Sequence, residues 1–172
     1  TKAPGDQLFK ILQSAIMDMN VIAEDLGDVT DDVIRLREKY NFPGMRILQF
    51  ELNELCQAED YPLNSVVCTG THDNDTIQGW YQSLSQNSID GDALSRDKLL
   101  QYFQCSSDDF HWGVINYALS TVSNTVIIPM QDILGIDSSG RFNTPGTLSK
   151  NNWTWRIEEE QLAESIKHKM AD

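Results

Sequence analysis

Basic residues are scarce in this chain: 13 Lys and Arg stand against 26 Asp and Glu among 172 residues, a formal net charge of −13. A surface of that sign repels a phosphate backbone, which argues against nucleic acid as a partner. Cysteine is scarcer still. Cys56, Cys68 and Cys105 are odd in number and widely spaced, with no C-x-x-C pair, so neither a disulfide scaffold nor a zinc site is indicated. Reduced, mostly buried thiols are expected. No apolar run approaches the ~20 residues of a membrane span, and the opening TKAPGDQLFK has no signal-peptide core. There is no P-loop, no G-x-G-x-x-G, no EF-hand loop and no internal repeat. What is present is 40% apolar and 23% charged, the composition of one ordinary globular domain with a real core.

Apolar spacing predicts a helix over 7–19 and a second over DDVIRLREKY after Thr30, where acids open the helix, Arg37 and Lys39 close it, and Pro43-Gly44 stops it. Three more helices are predicted around 77–85, 96–104 and 110–122, and a last one over 158–170. Four short apolar runs read as strands: 21–23, 45–50, 66–69 and 124–130. Strands separated by helices imply parallel βαβ units. Each run ends in acids or amides: Glu24-Asp25, Gln49 with Glu51, His72-Asp73, and Gln131-Asp132. In parallel sheets ligands bind at the carboxyl ends of strands, so these residues are expected to share one polar face. Trp153 and Trp155 predict that the long Gly-, Ser- and Asn-rich stretch before the last helix is ordered.

The run VVCTGTHDNDTIQGW, residues 66–80, sets His72 and Asp73 directly after a strand. A bland account makes this an Asx-type turn, with Asp73 or Asp75 capping the next helix, and Asp75 sits where an N-cap belongs. A chemical account pairs Asp73 with Glu24 at a nearby strand end. Two carboxyls so placed can perform acid/base or nucleophilic chemistry on a glycosidic bond, one protonated and the other ionised. Asp73-Asn74-Asp75 also fits the loose D-x-D pattern of metal-dependent, nucleotide-sugar glycosyltransferases. A third reading is a non-catalytic maltodextrin-binding module with Trp80, Trp153 and Trp155 as stacking platforms. His111 and His168 fall on predicted helices without metal-ligand spacing, so no metal is expected.

Three long segments, VIAEDLGDVTDDVIRLREKYNFPGMRILQF, VVCTGTHDNDTIQGWY and IIPMQDILG…RFNTPGT…NWTWRI, together resemble glycoside hydrolase family 77, the amylomaltases or 4-α-glucanotransferases. The resemblance covers residues from about 5 to 157 in the family's order. It implies an α/β fold, residues 1–172 being the carboxyl-terminal half (strands five to eight, with inserted helices) of a (β/α)₈ barrel. It also implies retaining double displacement on α-1,4-glucans without a cofactor. Residue by residue, it makes Glu24 the general acid/base, Asp73 the transition-state stabiliser, His72 a contact to the donor sugar, and Asn143 a residue lining the sugar cleft. The family's nucleophile lies in an R-I-D-H-F-R-like segment before the AEDLG motif, and these 172 residues contain none. Tyr61-Pro62-Leu63-Asn64-Ser65 also departs from the usual L-P-H-N-Y. The expectation is an inactive piece of a cytoplasmic enzyme, or a plastidial one in a plant. It would associate with itself or with the missing half, take maltodextrins as donor and acceptor, and have no nucleic-acid or membrane partner.

Overall fold

Three short parallel strands organise the computed structural model, which describes residues 3–16, 19–52, 57–85 and 94–171. They are β1 (Gly44–Ile47), β2 (Ser65–Cys68) and β3 (Thr125–Ile127), hydrogen-bonded in the order β1-β2-β3. Gly44 pairs with Ser65, and Val67 with Val126. Cys56 lies outside the described residues, while Cys68 is buried and Cys105 partly so. Burial pushes both thiols up.

The helices are α1 (Gly5–Ala15), α2 (Asp31–Lys39), α3 (Leu48–Glu51), α4 (Ile77–Ser83), α5 (Arg96–Phe103), α6 (Phe110–Ser120), α7 (Met130–Ile133) and α8 (Glu164–Ala171). Local chemistry explains their ends. Acids open α2 and Arg37 and Lys39 close it, after which Asn41 takes a left-handed φ of 53° before Phe42 and Pro43. Ser95 caps α5 by accepting from the Lys98 N–H at 3.4 Å. Among the described residues no helix is long and apolar enough to cross a membrane.

Three expectations need correction. The run 21–23 forms no strand but a single parallel bridge, Ala23 to Gly44, with the Ala23 N–H donating to the Pro43 carbonyl at 2.8 Å. The ladder ends there because the Asp25 side chain, not the backbone, takes the next β1 donor, the Met45 N–H. The expected strand 45–50 stops at Ile47 and coils into α3, so Gln49 sits on a helix. The expected strand 124–130 likewise stops at Ile127, and Pro129, which cannot donate to a ladder, heads α7.

β2 is buried along its whole length, as the middle strand of a parallel sheet should be. Alternation sends Val67 to one face, where Leu48, Leu52, Ile77, Tyr81, Leu99 and Phe110 form the main core under α4, α5 and α6. Val66 and Cys68 point to the other face and pack with Ile47, Leu26 and Met45. That second face is thinner, and the cleft described next opens from it.

Candidate active site

The loop 70–76, between β2 and α4, is fixed first at its ends. Thr69 is fully buried and its hydroxyl donates to Asp132 Oδ2 at 2.6 Å, while the Ile77 N–H donates to Oδ1 of the same carboxylate at 2.8 Å. One buried acid on α7 therefore staples the loop where it leaves the strand and where it enters the helix. Gln49, from α3, adds a third anchor by donating to the Asp75 carbonyl at 2.7 Å. Of the strand-end polar residues, Gln49 and Asp132 reach this loop and act as scaffold beneath it, whereas Asp25 and Glu51 pair with Arg37 and Arg46.

Within the loop, Asn74 Oδ1 accepts from the Thr71 N–H at 2.9 Å and from its hydroxyl at 2.8 Å, while the Asn74 N–H donates to the Thr71 carbonyl at 3.2 Å, closing the turn 71–74 from both sides. The N-cap of α4 is Thr76, whose hydroxyl oxygen accepts from the Gly79 N–H at 3.0 Å. This corrects the assignment of the cap to Asp75. Asp75 instead accepts from the Thr76 N–H at 2.8 Å and from the Ser138 hydroxyl at 2.7 Å, tying this loop to the one after α7.

His72 and Asp73 occupy the exposed tip. The Asn143 side-chain amide donates to Asp73 Oδ1 at 2.6 Å, and His72 Nε2 lies 3.5 Å from the same oxygen. Arg141 donates to the Asp73 carbonyl through Nη2 and to the Asn143 carbonyl through Nε, each at 2.9 Å. The His72 ring packs on Trp153 at 5.1 Å, and Trp153 meets Phe142 edge-on at 5.2 Å. Trp153 adopts a φ of 65°, costly for a bulky side chain, and its N–H donates to the Phe142 carbonyl at 2.7 Å. Such a conformation persists only where surrounding contacts enforce it, and here it aims the indole at His72. The 138–155 stretch is thus ordered, as the tryptophans predicted.

Glu24 is exposed and lines one cleft with Met45, Cys68, Thr71, His72 and Pro129. Its neighbour Asp25 is buried in an ion pair with Arg37 and accepts from the Met45 N–H at 2.8 Å. The two acids therefore divide: Asp25 locks α2 to β1, and Glu24 is left to the cleft. Gly44 lies against that ion pair so closely that any Cβ would collide with the carboxylate. Of the four residues expected at the site, Asp73, His72 and Asn143 meet directly, and Glu24 shares a cleft with His72. Arg141, Trp153 and Asp132 were not singled out for these roles. The first two flank Asn143 in the same motif, whereas Asp132 gives no sign in sequence of binding a loop 55 or more residues away. Asp73 and Asp75, the D-x-D pair, are engaged by separate partners. Among the described residues no group of three His, Cys, Asp or Glu is arranged to hold a metal.

Asp132 supports a stability prediction. Asp132→Ala leaves the buried Thr69 hydroxyl and Ile77 N–H without an acceptor, which should cost about 2–4 kcal/mol. Asp132→Asn can keep both bonds, its oxygen on Ile77 and its amide toward the Thr69 oxygen, and should stay near wild type. Burial raises the Asp132 pKa above the ordinary 3.8, so its contribution is complete below that value and is lost as pH rises through the folded one. Urea midpoints from acid to neutral pH should show this decline in wild type and not in Asp132→Asn. The same decline in the amide variant would place the titration elsewhere.

Comparison with known proteins gives one answer. The family model of glycoside hydrolase family 77, described as 4-alpha-glucanotransferase, matches residues 1–162. The chain is 43% identical over 159 residues to the chloroplastic/amyloplastic 4-alpha-glucanotransferase of Arabidopsis thaliana, covering 90% of this chain and 26% of that one. It is 41% identical to the 4-alpha-glucanotransferase of a Streptococcus pneumoniae strain, covering 99% of this chain and 34% of that protein. Amylomaltase from Streptococcus agalactiae, solved in complex with acarbose, superimposes with a TM-score of 0.86 at 31% identity, over 99% of this chain and 34% of that one. The chain thus spans about a third or less of the length of these relatives. With its sequence matched almost end to end and its α/β architecture superimposing on an amylomaltase, the chain belongs to the 4-alpha-glucanotransferase family, glycoside hydrolase family 77.

Proposed function

We propose that this chain is the part of a 4-α-glucanotransferase barrel that carries strands five to eight, and that it supplies the acid/base and the stabiliser for retaining glucan transfer. The observation that carries the reading is the shared cleft: Glu24 and His72 line it together at the carboxyl end of the parallel strands, with Asp73 beside His72. In the first half-reaction a carboxylate from outside these 172 residues attacks the anomeric carbon. Glu24 gives its proton to the departing glycosidic oxygen, so the leaving sugar departs neutral. In the second, a hydroxyl of the acceptor glucan attacks that carbon, Glu24 takes its proton back, and the carboxylate is released. Asp73 holds sugar hydroxyls whose hydrogen bonds strengthen as the ring flattens toward the oxocarbenium-like transition state. His72 and Asn143 contact the sugar, and the Trp153 indole behind His72 keeps the imidazole in place.

The test is maltotriose alone, with a chelator present, given to the intact protein that contains this chain. Glucose and longer maltodextrins should appear together. A strict requirement for manganese and a nucleotide sugar would overturn the reading in favour of the D-x-D alternative. The chain alone should bind maltodextrin without transferring it, and measurable transfer by the purified chain would refute the division of catalytic groups.

A further inference from the structure

Asp73 sits at a loop tip whose side chain is 47% exposed, yet the chemistry proposed for it needs a fixed carboxylate. The staples of its loop, Asp132, Gln49 and Asn74, hold the base and the turn. None of their side chains hydrogen-bonds to Asp73. Beyond its own turn, among the described residues, the hydrogen bonds Asp73 receives come from Arg141 and Asn143. These bonds form a closed ring. The guanidinium joins the Asp73 carbonyl to the Asn143 carbonyl, and the Asn143 amide returns to Asp73 Oδ1. A guanidinium presents its donors in a rigid planar fork, so it fixes the separation of the two carbonyls. The Asn143 loop is in turn anchored from beneath, with Gln131 donating to the Gly140 carbonyl at 3.1 Å and Ser138 donating to Asp75.

We propose that Arg141 is a positioning residue: by bracing the Asp73 and Asn143 carbonyls it makes Asn143 occupy Oδ1 of Asp73 and leaves Oδ2 as the oxygen open to a sugar hydroxyl. This rests on the reading of Asp73 as the stabiliser. Oδ2 takes no hydrogen bond from a described residue. Without the brace, the exposed tip can rotate and Asn143 can release Oδ1, so the carboxylate meets the sugar in several orientations instead of one. A misplacement on that scale acts on the transition state more than on ground-state binding, and a shift of about 1 Å can cost on the order of 10²-fold in rate.

Two readouts decide the matter. In the intact protein with labelled asparagine, the side-chain amide protons of Asn143 should be shifted and slow to exchange in the wild type. Arg141→Met should move them to the values found in Asp73→Ala, with the backbone amides of β2 and α4 unchanged as the check on folding. Arg141→Lys, which keeps charge but not the fork, should fall between. In the intact protein, Arg141→Met should lower kcat for maltotriose by about 10²-fold with KM within about twofold. Combining it with Asn143→Ala should add little to the larger single loss, because both act through one carboxylate. An unmoved Asn143 amide, a loss confined to KM, or losses that multiply would each overturn the proposal. If the intact wild-type protein shows no disproportionation, that failure falls on the transferase reading, and the Asn143 amide still decides what Arg141 positions.

Discussion

Glu24→Gln, made in the intact transferase proposed above, is expected to abolish maltotriose disproportionation while leaving stability unchanged. The amide keeps the size of the side chain but can neither deliver a proton to the glycosidic oxygen nor recover one from the acceptor, and such general acid/base groups contribute about 10²–10⁴-fold. Stability should not change, because Glu24 is exposed and none of the hydrogen bonds of the described residues runs to it. The adjacent Asp25→Asn is the mirror-image control. It removes the buried charge facing Arg37, whose side chain is 14% exposed and keeps the exposed Glu38 at 3.6 Å, and losing such a charge-assisted bond should cost about 1.5–3 kcal/mol. One substitution should remove activity from a stable protein, and its neighbour should unfold the α2–β1 junction. The chemistry can be divided further. A donor with an activated leaving group, such as a glycosyl fluoride, needs little acid assistance, so Glu24→Gln should still form the intermediate. Azide should then restore turnover, since it attacks without a general base. Disproportionation near wild type in Glu24→Gln would remove Glu24 from the acid/base role.

How much of this could be seen in the sequence follows from the range over which each signal acts. The helices α2, α4, α5 and α6 were legible because periodicity, caps and flanking charges are local. The early end of β1 was not: Ile47-Leu48 continues as an apolar run, and nothing local says that the chain coils after Ile47. The end of β3 does have a local sign in Pro129, which cannot donate to a ladder. Asp73, His72 and Asn143 were named through a motif resemblance, and the structure adds the contact between them across 70 residues of sequence. Asp132 shows the limit most clearly. As a residue type it reads as one of the strand-end acids of a shared polar face, but it is 1% exposed, with two donors from the loop ends bound to it. Burial of an acid depends on partners that arrive from elsewhere in the chain, and no single-sequence pattern encodes them.

Purified alone, the 172-residue chain is expected to self-associate through its sheet edges. β3 is exposed at Thr125 and Ile127, so its backbone donors and acceptors are left to template another strand, while the far side of β1 meets, among the described residues, the Ala23 bridge and the Asp25 carboxylate that accepts from the Met45 N–H. Ile47 and Val67 are buried within the chain at 1% and 0% exposure. The apolar surface that remains lies beside them: Ile22 is 50% exposed, Phe50 56% and Ile127 45%. At about 25 cal/mol per Å², covering even ~1,000 Å² would contribute roughly 25 kcal/mol gross, before association entropy and polar desolvation reduce it. Sedimentation should show concentration-dependent dimers or larger species, and Ile127→Lys, which places a charge on the exposed edge, should shift them toward monomer without lowering the helix content. An amino-terminal segment of the same protein, supplied in trans, should compete for the same surface and suppress self-association. A monodisperse wild-type monomer that unfolds cooperatively with no partner would show that the edges are closed by the chain itself, and the half-barrel reading would fall with it.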